Sequence, residues 1–300
     1  MKGIFFMYDT IIIGGGPAGI TASLYIKRAG FNVILISEAG GALSKANKIE
    51  NYYGFDKPIS GKTLLENGEK QAKALGVNII KKEVIGIKYA DNNYYEVITA
   101  NQPQNEKYIG KTIVIATGAN RNRPNIKGVK EYEGKGISYC AICDAAFYRN
   151  KDVAVLGNGE YAIGEIEELL PVAKSVTMLT DGKEYVENRS NNEKLKINDK
   201  KIREFRGDNK IEEIEFEDNS TEKVQGIFIA QGTASSLDFA KKLGARIEEN
   251  YIIVNADMET TIPNVYAAGD CTGGILQISK AVYEGTKAGL SIINKLRRNN

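Results

Sequence analysis

Cys140 and Cys143 stand three positions apart within residues 138–148, and Asp144 follows the second of them directly. At that spacing one helical turn or a tight turn brings the two sulfurs together, and such a pair can close into a disulfide and reopen. In a chain without secretory features a C-x-x-C reads as redox chemistry or as half of a metal site. The chain has three Cys and no His. A tetrahedral zinc would therefore need Cys140, Cys143, Cys271 and a carboxylate, an uncommon ligand set, so no metal is expected. The absence of His also removes every Cys-His or Ser-His couple. A carboxylate must then move the thiol proton, and Asp144 is the nearest candidate.

The rest of the chain has to position that pair. Its 300 residues, 42% hydrophobic and 26% charged, suffice for two globular domains or one large one. A net charge of +2 with no aromatic-interleaved basic stretch argues against nucleic acid as a partner. The apolar run near the start is too short for a signal peptide and is broken by Asp9, and no run reaches the roughly 18 apolar residues of a membrane span. A soluble, cytoplasmic protein is expected, in a compartment where a C-x-x-C is working chemistry.

Residues 8–13 form a short apolar strand, Gly14-Gly-Gly-Pro-Ala-Gly19 follows at once, and residues 20–28 continue with helical periodicity to a stop at Gly30. A second strand, residues 32–36, is followed by Glu38. Strand, G-x-G-x-x-G, helix, strand and acid in this order are the signature of a dinucleotide-binding βαβ unit. Gly14 allows the tight turn, Gly16 lets backbone approach a pyrophosphate, and Gly19 lets the helix pack on the strand. The helix start stabilises phosphate charge, and Pro17 is tolerated in its first turn. The unit recurs around Gly157-Asn-Gly159-Glu-Tyr-Ala162, with every equivalent pair 143 positions apart, which implies two domains wound alike.

Between the repeats, residues 77–88 and 94–99 read as strands separated by Asp91-Asn92-Asn93, and residues 111–118 as a buried strand ending in a Gly turn. Residues 121–128 read as a connection. Residues 226–232 and 263–270 are further strands, and residues 279–296 a closing helix. The fold class is α/β: two Rossmann-like, three-layer nucleotide-binding domains, the second inserted into the first.

The order of the Gly14 loop, Glu50-Asn51-x-x-Gly54-Phe55, Ala116-Thr117-Gly118, Cys140-Ala-Ile-Cys143-Asp144, the second loop and Ala268-Gly269-Asp270 resembles the low-molecular-weight thioredoxin reductases over essentially the whole chain. The resemblance implies that residues 1–115 and 235–300 form an FAD-binding domain. Residues 116–234 would be an inserted pyridine-nucleotide-like domain carrying the C-x-x-C on its flavin-facing side. It implies FAD contacts from Gly14, Gly16, Pro17, Ala18, Gly19, Glu38, Gly41, Asn51, Thr117, Gly118, Gly269, Asp270 and Gln277. It also implies a homodimer, and thioredoxin as the acceptor of electrons. Electrons would enter the disulfide through Cys143, Cys140 would attack the thioredoxin disulfide, and Asp144 would supply the proton.

The departures concern the donor. NADPH-using members follow the second strand of the inserted unit with a His-Arg-Arg stretch that forks onto the 2′-phosphate. Here residues 176–180 are followed by Asp181-Gly-Lys-Glu-Tyr, with no Arg before Arg189. The chain is in this respect similar to the ferredoxin-linked flavin thioredoxin reductases, which lack those arginines. Ferredoxin or another protein is the expected donor, and Pro171, read as lying inside the helix after the second loop, favours it. NADH is the alternative, because Asp181 lies 24 residues after Gly157, as Glu38 does after Gly14; NADPH through unusual contacts is another. A flavoprotein redox sensor without turnover is the non-enzymatic reading. Cys271 reads as a packing residue. Arg121, Arg123, Lys127 and Lys130 read as a solvated linker or a docking patch for an acidic partner. Tyr52, Tyr53 and Phe55 read as flavin shields or, for the tyrosines, core.

Overall fold

A computed structural model describes residues 6–38, 41–101, 105–119, 124–186 and 192–298. The chain folds as two compact units, one of Met1–Asn120 with Ser235–Asn300 and one of Arg121–Ala234.

In chain order, β1 (Phe6–Ile13) leads into α1 (Pro17–Arg28) and β2 (Val33–Ile36), followed by α2 (Gly61–Ala74) and β3 (Asn78–Ile80). The strands β4 (Val84–Ala90), β5 (Tyr94–Thr99) and β6 (Glu106–Ile115) complete the first passage. The second unit runs α3 (Val129–Tyr132), β7 (Ile137–Ser138), α4 (Ala141–Asp144), β8 (Asp152–Leu156), α5 (Glu160–Leu169), β9 (Ser175–Leu179) and β10 (Leu195–Asn198). It ends with β11 (Ile202–Arg206), β12 (Glu213–Phe216), β13 (Thr221–Lys223) and β14 (Gly226–Ile229). The chain then returns to the first unit with α6 (Ser236–Lys242), β15 (Ile247–Glu248), β16 (Tyr251–Ile252), β17 (Val265–Ala267) and α7 (Ile278–Arg298).

The first unit is built on a seven-stranded sheet, six strands in the order β3-β2-β1-β6-β5-β4 and β17 beside β6. Strand β6 changes partner along its length. Its first half pairs antiparallel with β5, its last three residues pair parallel with β17, and β1 runs parallel along the other side. Continuous burial of Ile11, Ile12, Ile34, Leu35, Ile113 and Val114 explains why these strands read as unbroken apolar runs. Helices α1 and α7 cover one face, their small residues Ala18, Ala22, Ala281 and Ala288 sharing one core with Ile12 and Leu35. The second unit has an all-parallel sheet, β10-β9-β8-β14-β7, and an antiparallel one, β11-β12-β13.

Two expectations change. The single strand expected over residues 77–88 is two: β3 pairs with β2 at one end of the sheet, whereas β4 pairs with β5 at the other. The break falls at Lys81-Lys82-Glu83, where charge interrupts the apolar run. Pro171 lies beyond the end of α5, as expected of a residue that cannot continue a helix.

Candidate redox and cofactor sites

In the second unit, Cys140 and Cys143 are joined as a disulfide. Cys140 is the N-cap of the one-turn helix α4 and Cys143 lies within it. Cys140 is buried and Cys143 exposed. Asp144, at the helix end, accepts a hydrogen bond from the Ser138 hydroxyl at 2.6 Å, and the same hydroxyl accepts from the Cys140 amide at 3.1 Å. One serine thus ties the acid to the backbone of the buried cysteine, a role that nothing in its sequence position announced. A second carboxylate closes the other side: Glu165 of α5, itself buried, accepts from the Ala141 amide at 2.6 Å. Among the described residues no cluster of His, Cys, Asp and Glu could hold a metal ion.

In the first unit the Gly14 loop leaves α1 without a side-chain cap and with no acid in its first turn. A helix start in that state presents unsatisfied amides to an anion. Gly14 has φ +114°, and a Cβ there would lie 2.3 Å from Ala116 O; one on Gly19 would lie 2.0 Å from Gly14 O. A Cβ on Gly16 would meet nothing within 4 Å, so the mouth of the loop is open. Pro17 and Ala18 are the first residues of α1. Glu38 is exposed just beyond the end of β2, and Gly41, at φ +59°, opens a 3-10 turn.

The remaining expected contacts converge on the same unit. Asn51 and Gln277, 226 positions apart, meet through their side-chain amides at 3.4 Å. Gly118, at φ +83°, accepts at its carbonyl from Ser236. The buried Thr117 hydroxyl has no hydrogen-bond partner among the described residues, which is what a group waiting for a ligand looks like. Gly269 has φ +90° and precedes Asp270. Its amide donates to Glu284 at 2.8 Å and its carbonyl accepts from Lys280 at 2.8 Å. Lys280 and Glu284, both on α7 and paired at 3.0 Å, hold this turn, and sequence reasoning did not single them out. An uncapped helix start, positive-φ glycines, an orphaned hydroxyl and paired amides together fit a dinucleotide of the FAD type.

The second glycine loop repeats the strand-loop-helix order of the first but not its surroundings. Asn158 stands where the first loop has Gly15, and its side-chain amide donates to Glu184 O at 2.7 Å while its carbonyl accepts from Val186 N at 3.0 Å. The chain after β9 thus folds back onto the loop. Asp181 has φ +54° and its carboxylate accepts from Ile202 N at 3.0 Å. Glu160 places an acid in the first turn of α5. Arg189 lies outside the described residues.

Of the blander readings, Cys271 is buried, and burial pushes its thiol up to about 12; it packs. Lys127 is paired with Glu204 at 2.5 Å, whereas Arg121 and Arg123 lie outside the described residues. Tyr53 is 99% exposed and is no core residue, while the Tyr52 and Phe55 rings lie 6.1 Å apart. No helix among the described residues is long and apolar enough to cross a membrane.

A C-x-x-C disulfide in one doubly wound unit and a glycine loop that fits a dinucleotide in another are the features of a nucleotide-dependent disulfide oxidoreductase. Residues 8–285 match the family model described as pyridine nucleotide-disulphide oxidoreductase, and the chain belongs to that family. It is 36% identical over 304 residues to a thioredoxin reductase of Aquifex aeolicus (strain VF5), covering 95% of this chain and 92% of that one. Its fold superposes with a TM-score of 0.90 and 38% identity on the atypical thioredoxin reductase TRi from Desulfovibrio vulgaris Hildenborough, over 97% of this chain and 98% of that one. A ferredoxin-flavin thioredoxin reductase from Clostridium acetobutylicum gives a TM-score of 0.71 at 31% identity, over 98% and 100%. The protein is accordingly a thioredoxin reductase-like, FAD-binding oxidoreductase of α/β fold.

Proposed function

We propose that this chain reduces thioredoxin through the Cys140–Cys143 disulfide, with electrons from ferredoxin or another protein donor and not from a pyridine nucleotide. The observation that carries the donor assignment is the double hydrogen bond between Asn158 and the segment that follows Asp181. In a unit of this type the adenosine ribose lies between the loop and the acid at the end of the second strand. Here that acid is engaged with Ile202. The extra acid at Glu160 and the absence of an Arg fork act against phosphate as well. The space in front of Gly159 is open, as it is at Gly16, and the two loops differ at their flanks. The clostridial relative is a ferredoxin-flavin thioredoxin reductase of the same overall fold, which supports the reading.

FAD would be held by Gly14, Gly16, Pro17, Ala18, Gly19, Glu38, Gly41, Asn51, Thr117, Gly118, Gly269, Asp270 and Gln277. When bound, it supplies the electron pair that reduces the disulfide. The chain's own residues do the rest. Cys143, the exposed sulfur, receives the pair. The Cys140 thiolate attacks the thioredoxin disulfide and forms a mixed disulfide. Cys143 then displaces thioredoxin as a dithiol and restores the Cys140–Cys143 bond. Asp144, oriented by Ser138, exchanges the proton, as befits a chain with no His. Ile142 and Phe147, 44% and 71% exposed beside Cys143, offer apolar surface of the kind a protein partner covers. A cytoplasmic homodimer with residues 1–115 and 235–300 around FAD completes the proposal.

An anaerobic titration of the yellow protein tests the donor. Flavin absorbance is expected to stay unchanged with NADPH and with NADH and to bleach on addition of reduced ferredoxin; rapid bleaching by either nucleotide at micromolar levels would overturn the assignment. Cys140→Ser and Cys143→Ser are each expected to lower thioredoxin reduction by more than about 10³-fold. Turnover surviving either change removes the disulfide from the mechanism.

A further inference from the structure

The mechanism above uses one carboxylate, yet the geometry places two beside the redox pair. Glu165 sits on α5, the helix that follows the second glycine loop, and is 1% exposed. Helix α4 packs against α5, and the Glu165 carboxylate takes the amide of Ala141, the peptide that joins this residue to Cys140. The carboxylate therefore lies within one peptide unit of the backbone of Cys140, which is itself 2% exposed. Burying a carboxylate is costly, so its retention there calls for a role. Among the described residues, the titratable groups placed at this turn include Glu165 and Tyr161 from α5, Asp144 from α4 itself, and Tyr139 and Tyr148 from the flanking segments. Burial and Asp144 both push the Tyr148 hydroxyl up. The two carboxyls are the acidic side chains of α4 and α5 that hydrogen-bond at this turn, so substitution of either bears on Cys140.

We propose that Glu165 is a positioning residue of the disulfide, which fixes the turn after Cys140 and holds the Cys140 thiol protonated once the pair has been reduced. This rests on the redox reading of the pair given above. A negative charge beside a thiol disfavours the thiolate, and in a buried setting the effect is larger than in water. Division of labour follows. Asp144, at the end of α4 and linked through Ser138 to the Cys140 amide, exchanges protons, and Glu165 sets which form of Cys140 is stored.

The test reads Cys140 alone, in full-length FAD-loaded protein carrying Cys143→Ser, by the pH dependence of iodoacetamide alkylation at the Cys140 peptide. Neither donor nor thioredoxin enters the assay, so its failure and the failure of the proposed function are separable. Glu165→Gln keeps the volume and an acceptor for Ala141 and removes the charge. It is expected to move the profile down by about half to one pH unit, about three- to tenfold faster labelling at pH 7. Glu165→Asp retains the charge and is expected to stay with the parent. A Gln profile superimposed on the parent, or an Asp profile shifted as far as the Gln one, overturns the proposal. If the Gln protein does not fold, the parent decides: its midpoint is expected above the ordinary thiol value of about 8.5, and one below it overturns the proposal.

Discussion

At residue 14 and again at residue 157 a parallel strand ends in a glycine whose amide bonds the tip of the next strand, Gly14 to Ile36 at 2.9 Å and Gly157 to Leu179 at 3.0 Å. In both places the following crossover strand completes the turn, Ala116 bonding Ile13 and Ala230 bonding Leu156, each at 2.8 Å. In both, a Cβ on the first glycine would strike that crossover carbonyl, at 2.3 Å and 2.2 Å. The loops differ at the first glycine, where Gly14 has φ +114° and Gly157 has no positive φ, and in what lies around the shared hydrogen bonds. The first has Gly15, Pro17 and an exposed acid beyond β2; the second has Asn158 tied to residues 184–186, Glu160 in the helix start and an acid bound to Ile202. A hydrogen-bonded strand-loop-helix frame is thus shared by the two units, and the residues that flank it differ.

Substitution of the two equivalent glycines gives the largest contrast. Gly14→Ala faces both a positive φ and a backbone oxygen and is expected to cost about 3–5 kcal/mol and to yield protein with little or no flavin. Gly157→Ala meets the same oxygen crowding and the Ala162 methyl and also destabilises its unit, but flavin content per chain should stay at the parent value. Absorbance at the flavin band relative to protein distinguishes them, and loss of flavin in both would show that the two loops are not separate in function. A smaller effect belongs to Asn158→Gly. It removes the hydrogen bond to Glu184 and adds backbone freedom, for about 1–2 kcal/mol by urea unfolding, with flavin content unchanged. If this variant gains rapid reduction by NADH, the tie alone had closed the second site.

What could be read from the sequence was whatever is local. Both glycine loops, the C-x-x-C with its acid and the apolar strands declare themselves within ten residues, because turn chemistry and strand period act at that range. Asn51 and Gln277 were singled out by resemblance alone, since no local rule connects residues 226 positions apart. Ser138, Glu165, Lys280 and Glu284 act through tertiary hydrogen bonds, and a serine or a helical glutamate carries no mark of such a partner. The division of residues 77–88 between β3 and β4 was hidden for a related reason: strand period shows that a segment is extended, not which edge it joins.

The return of the chain to its first unit has a consequence for biosynthesis. Gly285 of α7 lies so close to α1 that a Cβ there would be 2.2 Å from Ala18 O, and β17 supplies the last parallel partner of β6. Both come from beyond residue 235, after the whole inserted unit has been translated. At about 5–20 residues per second the ribosome needs on the order of ten seconds for that stretch. During this interval the second unit can complete itself, while α1 and the open side of β6 remain uncovered. The nascent first unit is therefore the part of the protein most exposed to chaperones and to aggregation, and the inserted unit is the part least so.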